Sequence, residues 1–308
     1  KYEKYIIHHH PYTLRSLIET HLALFSINPD LFHATNLSVP VFWPGKIVIT
    51  VHDLIKHYSR GLANTTHHPV TYWLKYLEYL ILITLAIRRA SFTIVPAKYW
   101  KVILMQKYHL HSNKISVTYE SPGVEFQKGH SFKDSPYRSI PKPFMVYTGN
   151  LYPHKNVGVL IKAADKLKID VVIVCARSVF EKRLPLSPRV HYLGRLTDPE
   201  LVQLYHEATA FVFPSLIEGF GLPGLEAMAV GLPVIAARAS CLPEIYGDAA
   251  LYFDPCSVDD LTTKTRLLLS DEKLRSTLIF KGKFQVKKYS WRKMSLQTWK
   301  IYQNVLSS

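Results

Sequence analysis

The 308-residue sequence predicts an α/β protein of two doubly wound parallel sheets. Three observations predict it. Short continuous apolar runs such as FMVYT (144–148) alternate with helical patterns, the sign of strands covered on both faces. The same alternation occurs in both halves of the chain. The length suits two domains, and 48% hydrophobic with 20% charged residues is a globular composition.

Strands are expected in the first half at 31–35 (LFHAT), 46–51 (KIVITV), 91–95 (SFTIV) and 115–119 (ISVTY), with long helices at 69–89 and 97–108. The stretch 121–143, rich in Pro, Gly, Ser and charge, reads as the inter-domain connection. Strands then follow at 144–148, 171–176, 190–194, 210–214, 233–237 and 250–254. Helices fill 156–167, 199–208 and 223–230. Asp198 is the expected N-cap of the second of these, with Pro199 at the first helical position. The domains are drawn at 1–143 and 144–292, with a last helix at 293–308 packing back on the first domain. Four strands against six, in a chain that begins at Lys1, suggest that the first domain is truncated and lacks an opening βα segment.

No segment reaches the roughly 18–20 consecutive apolar residues of a membrane span. The nearest, YLILITLAI (79–87), is flanked by Lys75, Glu78, Arg88 and Arg89 and reads as a buried core helix. Cys175, Cys241 and Cys256 have no metal-type spacing, and an odd, sparse count fits the reducing cytoplasm. His8, His9 and His10 lack partner ligands and read as surface histidines. The net charge of +15 draws the chain to something anionic: nucleic acid, anionic lipid or a phosphorylated substrate. No nucleic-acid signature accompanies it, so no nucleic-acid partner is expected.

Ligands of open α/β sheets bind outside the carboxyl ends of the strands, and two such sheets in tandem place a cleft between them. The segment EGFGLPGLEAM (218–228) lies at one strand end. Its glycines let backbone approach a ligand, and the helix N-terminus that follows offers unsatisfied N–H donors and a partial positive charge to phosphate. Glu226, one turn into the helix, can accept two hydroxyl bonds from a ribose; Glu218, on the turn, can do so from a second sugar. A second loop, GNLYPHKN (149–156), leaves the 144–148 strand and carries Lys155, a point cation for phosphate. At the end of the 46–51 strand stand His52 and Asp53. A retaining glycosidase also uses two carboxylates, about 5–5.5 Å apart, but needs no phosphate-binding turn between them.

These motifs resemble those of the retaining glycosyltransferases of family 4 (glycosyl transferases group 1), which have the GT-B fold. The family's E-x7-E motif is matched by Glu218 and Glu226 within PSLIEGFGLPGLEAMAVGLPVIA (214–236). Further matches are VHYLGRLTDPELVQLYHEA, LPEIYGDAALYFDP, YTGNLYPHKN, FHATN, VITVHDLI and YSWRKMSLQTWKIY. The resemblance implies two Rossmann-like domains facing a cleft. It implies Glu226 on the nucleotide ribose, Glu218 on the donor sugar, and backbone of Gly219, Phe220, Gly221 and Leu222 toward the sugar and diphosphate. Lys155 neutralises the leaving diphosphate, Gly149 and Asn150 line the donor loop, and backbone at Leu196 meets the nucleobase. His52 lines the donor–acceptor site, so that His52 and Glu218 form the catalytic set. Many members carry an arginine where Asn150 or His154 stands; here Lys155 acts alone, or with a protonated His154.

The implied reaction moves a mannose- or glucose-like hexose from a GDP-, UDP- or ADP-sugar to a glycan or lipid-linked acceptor with retention. No D-x-D motif stands at a strand end, so neither cofactor nor metal is expected. The alternative is an inactive or truncated sugar-nucleotide-binding relative. The aromatic, basic segments 72–90 and 97–109 suggest peripheral contact with anionic membrane on its cytoplasmic face.

Overall fold

The computed structural model describes residues 4–6, 14–36, 39–128, 136–137, 139–176 and 179–308. His8, His9 and His10 lie outside the described residues, as does part of the 121–143 connection. Along the chain, α1 (Leu14–Ile27) precedes β1 (Leu31–Ala34) and β2 (Lys46–Thr50). Next come α2 (Ile55–Tyr58), α3 (Pro69–Arg89), β3 (Phe92–Val95), α4 (Lys98–Tyr108), β4 (Ile115–Val117) and α5 (Val124–Gln127). The second series is β5 (Phe144–Thr148), α6 (Val157–Leu167), β6 (Asp170–Val174), β7 (Val190–Gly194), α7 (Asp198–Glu207) and β8 (Ala210–Phe213). It continues through α8 (Leu222–Val230), β9 (Val234–Ala237), α9 (Leu242–Tyr246), β10 (Ala250–Phe253), α10 (Val258–Ser270), α11 (Glu272–Val286) and α12 (Trp291–Ser307).

The chain forms two compact units. The first takes Lys1–Leu54, His67–Tyr119 and Arg292–Ser308; the second takes Ile55–Thr66 and Glu120–Trp291.

In the first unit four parallel strands stand in the order β1-β2-β3-β4. Ile47, Val48 and Ile49 of β2 are wholly buried, as a strand covered on both faces requires. One cover is α12, whose Ile301 and Val305 pack on Val48 and Ile94. Lys46 Nζ donates to the Val305 and Leu306 carbonyls (2.9 and 3.1 Å), setting a cation on the last turn of α12 where carbonyls lack helix partners.

Helix α3 differs from the buried core helix expected of 79–87. Tyr79, Ile83, Ala86 and Ile87 are buried. Val70, Leu74, Leu77, Ile81 and Leu85, which share the opposite face by their spacing of three and four, are 41% to 64% exposed. Because both faces are apolar, periodicity alone does not tell which one packs. Taken whole, the 21 residues of α3 also satisfy the length and hydropathy of a membrane span, which the shorter apolar run did not suggest. Its packed inner face ties it to the unit.

In the second unit six parallel strands run in the order β10-β9-β8-β5-β6-β7. The chain builds outward from β5 through β6 to β7, then returns to β8 and builds the other way. The switch point therefore lies between β5 and β8, where open sheets of this type hold ligands. Strand β6 starts at Asp170 and ends at Val174, short of the expected 176. Asp170 is drawn into the strand by an ion pair to Arg189 (3.5 Å) and lies 3.3 Å from His191. The N-cap of α7 is Thr197, not Asp198: its N–H and hydroxyl both donate to the Glu200 carboxylate (2.7 and 2.8 Å), the reciprocal half of a capping box.

Candidate functional site: a carboxylate–lysine pair at the switch point

Two loops flank the switch point, and side chains stitch them together. The first, 149–156, leaves β5. Gly149 has φ +151, and a Cβ there would lie 2.7 Å from Tyr147 Oη, so glycine is required. Tyr147 Oη donates to the Asn150 carbonyl (2.7 Å), and the Asn150 side-chain oxygen accepts the Tyr152 N–H (3.2 Å). Asn150 thus shapes its own loop. At the end of the loop Asn156 takes a left-handed conformation (φ +56) and opens α6. Its Nδ2 donates to the Pro214 and Pro255 carbonyls (3.1 and 2.8 Å), at the ends of β8 and β10. The Leu216 N–H donates to the His154 carbonyl (2.8 Å).

The second loop, 214–221, leaves β8. Here the structure brings together Lys155 and Glu218: Nζ donates to both carboxylate oxygens, at 2.7 and 2.9 Å. The two side chains are 13% and 8% exposed, so the pair is largely dry. His154 is no second cation. Burial, aided by the Lys155 charge, lowers its pKa to about 4, so the ring is neutral at physiological pH. The Phe220 ring turns inward onto Tyr289 (centroids 5.6 Å apart), which leaves only its backbone for a ligand. Gly221, at φ +102, leads into α8, and Leu222 is the first residue of that helix.

Glu226 sits one turn into α8 and is half-buried. Burial, with a smaller part from Asp198, raises its pKa to about 7. Leu196, half-buried, follows β7 two strands from β5. The site therefore gathers Gly149, Asn150, Lys155, Glu218, Gly219, Phe220, Gly221, Leu222 and Glu226 around the ends of β5 and β8, with Leu196 at the end of β7.

His52 belongs to the first unit. It follows β2, with its ring exposed and Nε2 donating to the Thr35 carbonyl (3.1 Å). This is a backbone tie, which fixes the tautomer. Nearby, His33 is pinned between Thr50 Oγ1 (2.8 Å) and Tyr302 Oη of α12 (2.5 Å). Burial, then the His52 charge, lowers the His33 pKa. Sequence reasoning overlooked Asn156, Ser240, Cys241 and Tyr246, although Asn156 and Tyr246 stand inside quoted motifs. Among the described residues no group of three or more His, Cys, Asp or Glu is placed to hold a metal ion.

The sequence profile described as Glycosyl transferases group 1 matches residues 133–284. O-antigen chain mannosyltransferase B of Escherichia coli is 34% identical over 179 residues, covering 54% of this chain and 47% of that protein. Sulfoquinovosyl transferase SQD2 of Arabidopsis thaliana is 28% identical over 287 residues, covering 86% and 54%. The chain thus spans about half the length of these relatives. Among solved structures, Anabaena Alr3699/HepE in complex with UDP and glucose superposes with a TM-score of 0.76 at 20% identity, covering 94% of this chain and 81% of that one. WaaG, a glycosyltransferase involved in lipopolysaccharide biosynthesis, gives 0.70 at 15% identity, covering 95% and 84%. Two parallel α/β sheets in this order match the GT-B glycosyltransferases, and residues 133–284 match the glycosyl transferases group 1 family.

Proposed function

We propose that the protein transfers a hexosyl group, mannose- or glucose-like, from a nucleoside diphosphate sugar to a glycan or lipid-linked acceptor with retention at the anomeric carbon. The observation that carries this is the dry Lys155–Glu218 pair beside a helix N-terminus at the switch point, with Glu226 one turn further in. Relatives described as mannosyltransferases, and a structural neighbour holding UDP and glucose, support the substrate class.

In this reading the Glu226 carboxylate accepts the ribose hydroxyls, and backbone at Leu196 meets the base. Lys155, the backbone N–H groups of the 218–222 turn and the 149–150 loop take the diphosphate. Glu218 accepts hydroxyls of the donor sugar, and His52 orients the acceptor. The bond from the anomeric carbon to the diphosphate oxygen breaks as the acceptor oxygen bonds on the same face. The leaving oxygen takes the acceptor's proton, so the products are a glycoside and a nucleoside diphosphate. The protein's part is to stabilise the charge that develops on the diphosphate.

Thermal unfolding with UDP, GDP, ADP and their sugar conjugates, beside Glu226→Ala, tests the donor site. A ligand at about 100 times its Kd adds roughly 2.7 kcal/mol of stability. A shift with one nucleotide that Glu226→Ala abolishes supports the transferase reading. A cooperative melt that no nucleotide shifts favours an inactive relative.

The partner surface belongs to the first unit. Its sequence holds 14 Lys and Arg against 5 Asp and Glu, a net +9. Arg88 falls on the exposed stripe of α3, 18 residues or five turns after Val70. An apolar stripe on a cationic unit fits an anionic lipid surface, with α3 lying in the interface. Co-sedimentation with phosphatidylglycerol vesicles that Leu77→Glu/Ile81→Glu abolishes supports this. Binding that survives the double variant, or none at low salt, rejects it. A dimer that the double variant dissociates gives the stripe to a second copy instead.

A further inference from the structure

The turn that carries Glu218 is gripped from its buried side by one short segment, 240–246. Ser240 Oγ accepts the Glu218 N–H (3.0 Å). Cys241 Sγ lies 3.2 Å from the Glu218 carbonyl and 3.5 Å from the Phe220 carbonyl, and its thiol proton is shared between them. Tyr246 Oη donates to the Gly221 carbonyl (2.7 Å). Cys241 and Tyr246 are completely buried, so neither side chain touches a ligand. Burial, with the Glu218 charge, keeps the thiol protonated and hence a donor.

A trans peptide points its C=O and N–H to opposite sides. Turning the Phe220 and Gly221 carbonyls toward α9 therefore turns the N–H groups of Gly221 and Leu222 away from it. Gly221 is left-handed and Leu222 opens α8. Successive N–H groups across such a change of hand form an anion-binding concavity, here added to a helix N-terminus. The glycines agree with this. A Cβ at Gly221 or Gly224 would lie 2.6 or 2.3 Å from Tyr246 Oη, so the backbone reaches the phenol only because both positions lack one. The grip has a firm base: Gln285 Nε2 and Tyr289 Oη both donate to the Ile245 carbonyl (2.6 and 2.7 Å).

We propose that Cys241 and Tyr246 are positioning residues that hold the Gly221 and Leu222 N–H groups in place for the diphosphate of the donor. The proposal rests on the donor reading above. A preformed concavity binds without first reorganising its peptides. Removing either grip frees a peptide to rotate, which weakens the hold on phosphate and leaves the base and ribose contacts alone.

The test compares UDP, GDP and ADP with their parent nucleosides, by NMR titration, on wild type, Tyr246→Phe, Cys241→Ala and Cys241→Ser. The expected result is a diphosphate affinity about tenfold weaker in Tyr246→Phe and Cys241→Ala. Nucleoside affinity stays at the wild-type value, and Cys241→Ser, which keeps a donor, restores diphosphate binding. Wild-type diphosphate affinity in both variants overturns the proposal while the donor reading stands. Equal losses of nucleoside and diphosphate also overturn it, because that is the mark of a merely structural role. Wild type that binds no nucleoside diphosphate sinks the donor reading and this proposal together. If Tyr246→Phe does not fold, the Cys241 pair decides.

Discussion

Glu218→Gln separates the two jobs of the carboxylate at the switch point. Lys155 Nζ holds both oxygens at 2.7 and 2.9 Å, and the pair is nearly dry. The amide keeps an acceptor oxygen and loses the charge. A hydrogen bond to a charged group contributes about 1.5–3 kcal/mol, and the bond that the Lys155 ammonium keeps to the amide oxygen is still of that kind. Two bonds to a carboxylate become one to an amide, and Lys155 stays buried as a cation. The expected loss of stability is about 2–3 kcal/mol, less than the roughly 3–5 kcal/mol for deleting a partner outright. Nucleoside diphosphate affinity moves the other way. In the wild type the carboxylate and the diphosphate compete for one ammonium. In the variant the diphosphate meets an uncompensated cation and binds about tenfold tighter, or about 1.4 kcal/mol. Sugar transfer falls, because the donor sugar loses a charged acceptor. Urea unfolding reads the first effect and calorimetric titration with the diphosphate reads the second. A variant that is less stable yet binds diphosphate no more tightly refutes the competition.

Glu226, with its pKa raised to about 7 from 4.5, holds a proton in the native state that the unfolded chain releases. Stability therefore falls as pH rises from about 4.5 to 7, by roughly 3 kcal/mol, and this contribution is flat above that window. Nucleotide affinity rises over the same approach to pH 7 as the carboxylate forms. Glu226→Gln flattens both profiles, and a wild-type profile that is already flat contradicts the burial argument. Gly224→Ala puts a methyl 2.3 Å from Tyr246 Oη and costs about 1–3 kcal/mol in urea unfolding. Ile301→Ala opens the α12 core and costs about 2–5 kcal/mol by the same assay. Thr197→Ala removes the α7 cap and lowers stability by about 1 kcal/mol, seen as a reduced melting temperature.

The parallel strands were legible because burial on both faces leaves runs with no polar position, as in Val171 to Val174. Helices α3 and α4 of the first unit were legible too, and α3 begins at Pro69, the residue expected from the sequence, whereas α1 (Leu14–Ile27) was not foreseen. Glu218 and Glu226 stood out because a turn followed by a helix N-terminus needs glycine and proline around them. What lay hidden depends on contact across distance in sequence. The partner of Lys155 is 63 residues away, and Asn156 spans 58 and 99 residues to its two carbonyls. His154 loses its charge to burial, which that stitching helps to produce, and to the neighbouring Lys155 cation. Cys241 read as one of three sparse cysteines because a thiol's use as a donor shows only once its carbonyls are in view. Thr197 was missed as a cap because Asp198 beside it is an equally good residue for the position.

Helix α12 bears on how the protein is made. It closes a core begun by β2, and Lys46 meets its last turn 259 residues later in the chain. On the ribosome, the sheet of the first unit emerges early with Val48 and Ile94 still uncovered. The stretch Glu120–Trp291 is complete before α12 leaves the exit tunnel. At about 5–20 residues per second, that gap lasts on the order of ten seconds or more. The unit synthesised second can therefore finish folding first. The one synthesised first waits as an open sheet, and in that interval it is the part of the nascent chain most in need of a chaperone.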